Sequence, residues 1–127
     1  MPRLDHLILN VNDRAKSVEF YSRVLGFTYE GEREGTPFSV IKVSPDFMIQ
    51  LAPFGTKGNE HLAFCLSRDE FEAAFRRIRD AGIEYGDSFD RVGTIRGPGD
   101  SEGALGACKS VYLFDPNHHL IEIAFYA

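Results

Sequence analysis

The sequence repeats itself at about half its own length. Asp5-His6-Leu7 opens a short apolar run near the N-terminus, Glu60-His61-Leu62 opens a similar one, and the two histidines are 55 positions apart. A helical pattern follows each run and stops at a glycine, Gly26 or Gly82, and these are 56 positions apart. Such spacing means that one supersecondary unit is used twice. The 127 residues therefore read as one domain built from two modules, 1–55 and 58–127.

Local signals give the order of elements. Leu4 to Val11 reads as a strand, and Asn12 or Asp13 caps the helix that follows. Arg14 to Leu25 carries Val18, Tyr21, Val24 and Leu25 at helical spacing, and Gly26 stands where a C-cap needs positive φ. Phe27–Glu32, Phe38–Val43 and Phe47–Ala52 read as strands separated by glycine turns and by Ser44-Pro45-Asp46. The first module is thus β-α-β-β-β. In the second, His61 to Leu66 is a strand and Ser67-Arg68-Asp69-Glu70 a capping box. Phe71, Ala74, Phe75 and Ile78 form a helical stripe, and a strand is expected after Gly82. Ser110–Phe114 and His119–Tyr126 are strands around the turn Asp115-Pro116-Asn117. Between them Tyr85 to Cys108 holds six of the 12 glycines and reads as a long loop with one or two poorly patterned strands. The fold class is α+β: two tandem βαβββ modules.

Composition limits the function. A chain of this length buries roughly two-thirds of its unfolded surface, and 43% apolar residues suffice for a core. A net charge of −5 argues against a large nucleic-acid surface or a polybasic membrane patch. The apolar stretches are too short to span a membrane, and the acids within and just after the first run fit no signal peptide. Two cysteines make no disulfide framework, so a reduced, cytoplasmic setting is expected.

Strand parity then sorts the polar residues. Side chains alternate between faces with period two. His6, Gln50, His61 and Glu122 each fall on the face opposite their strand's bulky apolar set. Faces of this kind lining one cavity would offer two imidazoles, a carboxylate and an amide oxygen, a donor set suited to a divalent metal. A cation would also offset the cost of burying Glu122 unpaired. The same alternation equally fits one-sided sheets with nothing bound, in which the histidines are solvated or bonded to backbone.

The repeated modules, the two Asp/Glu-His-Leu openings and the tail Tyr112-Leu-Phe-Asp-Pro-Asn-His-His-Leu-Ile-Glu122 resemble the vicinal oxygen chelate superfamily over nearly the whole chain. Its members include glyoxalase I, extradiol dioxygenases, fosfomycin-resistance enzymes, methylmalonyl-CoA epimerase and bleomycin-binding proteins. The resemblance implies a glyoxalase-like fold, a curled mixed sheet around a metal-binding cavity. It implies His6, His61 and Glu122 as ligands of a divalent ion (Zn, Ni, Fe, Mn or Co), Gln50 as a fourth ligand, and a homodimer. It also implies Lewis-acid chemistry on a small oxygenated substrate, with Glu122 as the catalytic carboxylate and lyase or isomerase chemistry favoured. Extradiol-type dioxygenation, fosfomycin-type thiol transfer and non-catalytic antibiotic binding are the alternatives. Tyr112, ten residues before Glu122, and the cations Arg91, Arg96 and Lys109 are the further substrate-pocket residues. His118 stands where many members have glycine, and no His occurs in 103–110, where dioxygenase-like members carry one.

Overall fold

The computed structural model describes all 127 residues, which fall into two compact units, Met1–Lys57 and Gly58–Ala127. The first unit contains β1 (His6–Asn10), α1 (Arg14–Glu19), a π-helical continuation (Phe20–Val24), β2 (Thr28–Glu32), β3 (Ser39–Ser44) and β4 (Phe47–Ala52). Asp13 is the cap: its carboxylate accepts the Lys16 N–H at 3.1 Å. Asn12 instead accepts from Thr56 N–H at 2.8 Å. The expected helix Arg14 to Leu25 widens after Glu19, where the Leu25 N–H reaches back five residues to the Phe20 carbonyl at 3.1 Å. Gly26 then takes φ +89°, the left-handed conformation that the sequence asked of it.

The first sheet has the order β1-β4-β3-β2. β1 and β4, its first and last strands in sequence, lie side by side and parallel, while the other pairs are antiparallel. Parity decides what this sheet buries. Leu9, Ile41, Ile49 and Leu51 are at most 2% exposed, and Phe20, Tyr21 and Leu25 are buried as well. Each fully buried side chain of this kind is worth roughly 1.5–3 kcal/mol relative to leaving it in water.

The second unit repeats the plan with additions: β5 (His61–Cys65), α2 (Arg68–Asp80), β6 (Tyr85–Gly86), β7 (Gly99–Gly103), β8 (Gly106–Phe114) and β9 (Leu120–Phe125). The sheet order is β5-β9-β8-β6, with β7 paired to another stretch of β8. β5 and β9 are parallel neighbours, as β1 and β4 are. The fold is therefore α+β with its strands divided between two mixed sheets, one in each unit. The segment read as a long loop is only partly one. β7 and the start of β8 pair from Gly99 to Ser110, and the strand expected after Gly82 is reduced to Tyr85–Gly86. No helix is long and apolar enough to cross a membrane, and both cysteines are free thiols.

α2 is fixed at both ends by its sequence. The Ser67 hydroxyl accepts the Glu70 N–H at 3.1 Å while the Glu70 carboxylate accepts the Ser67 N–H at 2.8 Å. Gly82 ends the helix at φ +69°. Along α2, Phe71, Ala74, Phe75 and Ile78 are buried, and Phe71 meets the Phe125 ring edge-on at 4.8 Å. Ser67→Ala removes one acceptor of the box and should cost about 1 kcal/mol in denaturant unfolding. The Ser67 donors hold the Glu70 carboxyl below its usual range. Its contribution is therefore complete above the ordinary Glu pKa and is lost as pH falls through the lowered one. The stability gap between wild type and Glu70→Ala should accordingly close below about pH 4.

The tail turn is tied down by its own side chains. Asp115 Oδ1 accepts the Asn117 and His119 N–H groups at 2.8 and 2.9 Å. His118 tolerates φ +67° and stacks on Phe114 with ring centroids 4.0 Å apart, which is how the turn survives without the expected glycine. His119 is 1% exposed and its Nδ1 accepts the Glu60 N–H at 3.3 Å. Both histidines thus serve the turn.

Candidate functional site

In the second unit β8 places Ser110 and Tyr112 beside β9, which carries Glu122. Tyr112 is the register partner of Glu122, and Ser110 is the partner of Ala124, diagonal to it. Glu122 is only 8% exposed. A carboxylate in that position is costly unless its oxygens are engaged. Ser110, fully buried, donates its hydroxyl to Oε2 at 2.7 Å, and His61 Nε2 lies 3.2 Å from Oε1. His61 reaches it from β5, whose Ala63 faces Glu122 across the parallel ladder. The His61 and Tyr112 rings are 6.3 Å apart, and Tyr112 Oη is 3.0 Å from Ser101 Oγ on β7. Burial, with the Glu122 charge adding to it, pushes the Tyr112 phenol above its ordinary range.

The first unit carries the matching pair. In the β5–β9 ladder His61 pairs with Leu120, and two residues further on Ala63 pairs with Glu122. In the β1–β4 ladder His6 pairs with Met48, and two residues further on Ile8 pairs with Gln50. Gln50 thus stands in the first sheet where Glu122 stands in the second. It is 8% exposed and lines a cavity of about 320 Å³ with His6, Asp5, Met48, Arg3 and Arg33. Asp5 accepts the His6 Nδ1–H at 2.8 Å. That bond and Arg3 hold the Asp5 carboxyl below its usual range. In the neutral ring it also leaves the Nε2 lone pair of His6 for another partner, the arrangement in which carboxylates orient metal-binding imidazoles.

The donor chemistry suits a divalent ion. Two ligands of one ion, each bonded at ~2.0–2.2 Å, sit roughly 3 Å apart, and the His61–Glu122 separation of 3.2 Å has that span. Within neither unit do three His, Cys, Asp or Glu side chains gather into a metal-holding group; the first unit holds His6 and Gln50, the second His61 and Glu122. Of the cations expected in the substrate pocket, Lys109 falls by parity on the face of β8 opposite Ser110 and Tyr112. There it pairs with Asp100 and lines a groove with Arg68, Arg76 and Arg79 of α2. Arg91 and Arg96 are exposed in the 87–98 loop. Ser110 is the residue that sequence reasoning missed. Its only signal was parity, two positions before Tyr112 on the same strand face.

The family model of the Glyoxalase/Bleomycin resistance protein/Dioxygenase superfamily matches residues 3–123. The chain belongs to that superfamily. Among its curated relatives, a virulence protein of Salmonella typhimurium is 31% identical, over 98% of this chain and 84% of its own length. The glutathione transferase FosA of Serratia marcescens is 30% identical, over 94% of this chain and 78% of its own. Among solved structures, the oxidase ChaP-H1 is similar across 100% of this chain and 98% of its own, with TM-score 0.80 and 26% identity. The superfamily therefore includes enzymes, and the two-unit architecture is one that it shares.

Proposed function

We propose that this protein is a metal-dependent enzyme acting on a small oxygenated molecule, with His6, His61 and Glu122 as ligands of one divalent ion and Gln50 as the fourth. The observation that carries this reading is the convergence of His61 Nε2 on a buried Glu122 whose other oxygen is already held by Ser110. A buried carboxylate with one oxygen anchored and the other turned to an imidazole has a physical motive for a cation. The Asp5–His6 bond and the equivalent placing of Gln50 support the same role for the first unit's pair. Zn, Ni, Fe, Mn and Co all suit these donors.

When bound, the ion would polarise a substrate oxygen. The rest falls to the chain's own side chains. Glu122 has a carboxylate oxygen able to take a proton from the carbon beside that oxygen and return it to a neighbouring carbon, a net isomerisation. Gln50 cannot share that work, because an amide does not accept a proton at neutral pH. Ser110 holds Glu122 in one rotamer, and the Tyr112 hydroxyl stays protonated and able to donate. Lyase or isomerase chemistry is thus preferred to dioxygenation and thiol transfer. A cytoplasmic homodimer is part of the proposal.

Ser110 gives a direct test. Partners that orient a ligand typically contribute 10–100-fold to metal affinity. Ser110→Ala should weaken binding of the metal by about that factor in competition with a chelating dye, and Ser110→Thr should keep most of it. Unchanged affinity in the alanine variant would overturn the role given to Glu122. Metal-free wild type that still binds its small molecule tightly and turns nothing over would instead make this a sequestering protein.

A further inference from the structure

On the face of the second sheet turned away from Glu122, α2 and the strands leave a groove of about 440 Å³. Lys109 of β8 and Phe125 of β9 line it; they are register partners, and by parity both fall opposite Tyr112 and Glu122. From α2 come Arg68, Glu72, Arg76 and Arg79, whose spacing sets them in one stripe along about 16 Å of helix. The groove thus gathers four cations and one acid in a chain whose net charge is −5. A cleft of one sign focuses its field and draws in the opposite charge.

Two of the four cations already have partners. Arg68 pairs with Glu72 at 3.2 Å and Lys109 with Asp100. Arg76 and Arg79 have no carboxylate partner. Arg79 instead lies over the Phe75 ring, its Cζ 4.2 Å from the centroid, and Arg68 covers Phe125 at 5.6 Å. Stacking holds a guanidinium by its face and leaves its N–H edge to bond an anion. The helix macrodipole accounts for a cation in the last turn, such as Arg79, but not for Arg76 further in or for Lys109 on a strand.

The arrangement also narrows the anion. A carboxylate is planar and matches a single guanidinium fork. The oxygens of a phosphate diverge, so one group can meet donors that arrive from a helix and from a strand. Arg76 and Arg79 are neighbours on the helix surface and can take adjacent phosphates. The Lys109 ammonium has three donors and can hold Asp100 and a phosphate together. A bare diphosphate fills only part of a volume that lies in the range of small-molecule sites. The rest of the wall, Pro98 with Phe71 and Phe75, is apolar.

We propose that this groove is a second ligand site, on the opposite face of the sheet from Glu122. It binds an organic diphosphate, with the phosphate oxygens on Arg76, Arg79 and Lys109 and the organic body against Pro98.

Titration calorimetry on the full chain with adenosine 5′-diphosphate, adenosine and citrate tests this. A divalent ion on Glu122 would itself attract phosphate, so each titration is run on protein loaded with metal and on protein stripped of it. The diphosphate should bind both forms. Arg76→Gln and Lys109→Gln, both at exposed positions, should each weaken it about tenfold or more, the usual effect of losing a bond to a charged group. Arg23→Gln, an equal loss of charge at an exposed position in the other unit, should leave it unchanged. No binding to the stripped protein would mean that the ion alone holds the phosphate, and would overturn the proposal. So would affinity unchanged in both groove variants, an equal loss in Arg23→Gln, or adenosine or citrate binding as tightly as the diphosphate.

Discussion

Glu122→Ala is expected to lower affinity for a divalent metal by at least about a hundredfold, since losing a ligand costs more than losing the partner that orients one. Equilibrium dialysis followed by elemental mass spectrometry reads this directly, and His6→Ala and His61→Ala should show losses of the same kind. The alanine leaves the Ser110 hydroxyl buried without its acceptor, so a modest stability loss of about 1–3 kcal/mol should accompany it. A thermal melt separates the two effects. Metal content equal to wild type in a folded Glu122→Ala protein would defeat the site. Mixing the His6→Ala and Glu122→Ala proteins, unfolded together and refolded, adds information about assembly. Partial recovery of metal binding is expected if a site draws its histidine and its carboxylate from different chains of a dimer, and none if each chain builds its own.

Phe71→Ala is expected to have the largest effect on stability. Phe71 is 1% exposed and holds α2 to its sheet through the Phe125 ring at 4.8 Å, with Phe75 at 6.2 Å on its own helix. A buried phenylalanine cut to alanine costs about 3–5 kcal/mol, which for a chain of this size lowers Tm by roughly 10–20 °C. Phe71→Leu fills more of the space and should recover a large part of the loss. A Tm within a few degrees of wild type in the alanine variant would mean that α2 is not held by this contact.

What the sequence made legible was local or periodic. The capping box of α2, the glycine stops at Gly26 and Gly82, and the parity that sets His61 and Glu122 each opposite its own strand's bulky residues all depend on residues close together in the chain. What it hid depended on pairing. β7, Gly99–Gly103, has the sequence GDSEG, with no apolar alternation to announce a strand; the ladder to β8 makes it one. The π-helical widening after Glu19 has no sequence signal that we can identify. Ser110 becomes a partner of Glu122 only through the β8–β9 register, which fixes that diagonal neighbour. Lys109 shares its strand face with Val111 and Leu113, both fully buried, so parity sets it apart from Tyr112 whatever its charge suggests.

The equivalent standing of Gln50 and Glu122 in their two ladders bears on stereochemistry. In the proposed reaction the carboxylate is Glu122 and its counterpart is an amide, so protons would be removed and restored by Glu122 alone. That reaction is therefore expected to be handed. Label from heavy water should enter one prochiral position of the product and leave its mirror partner unlabelled.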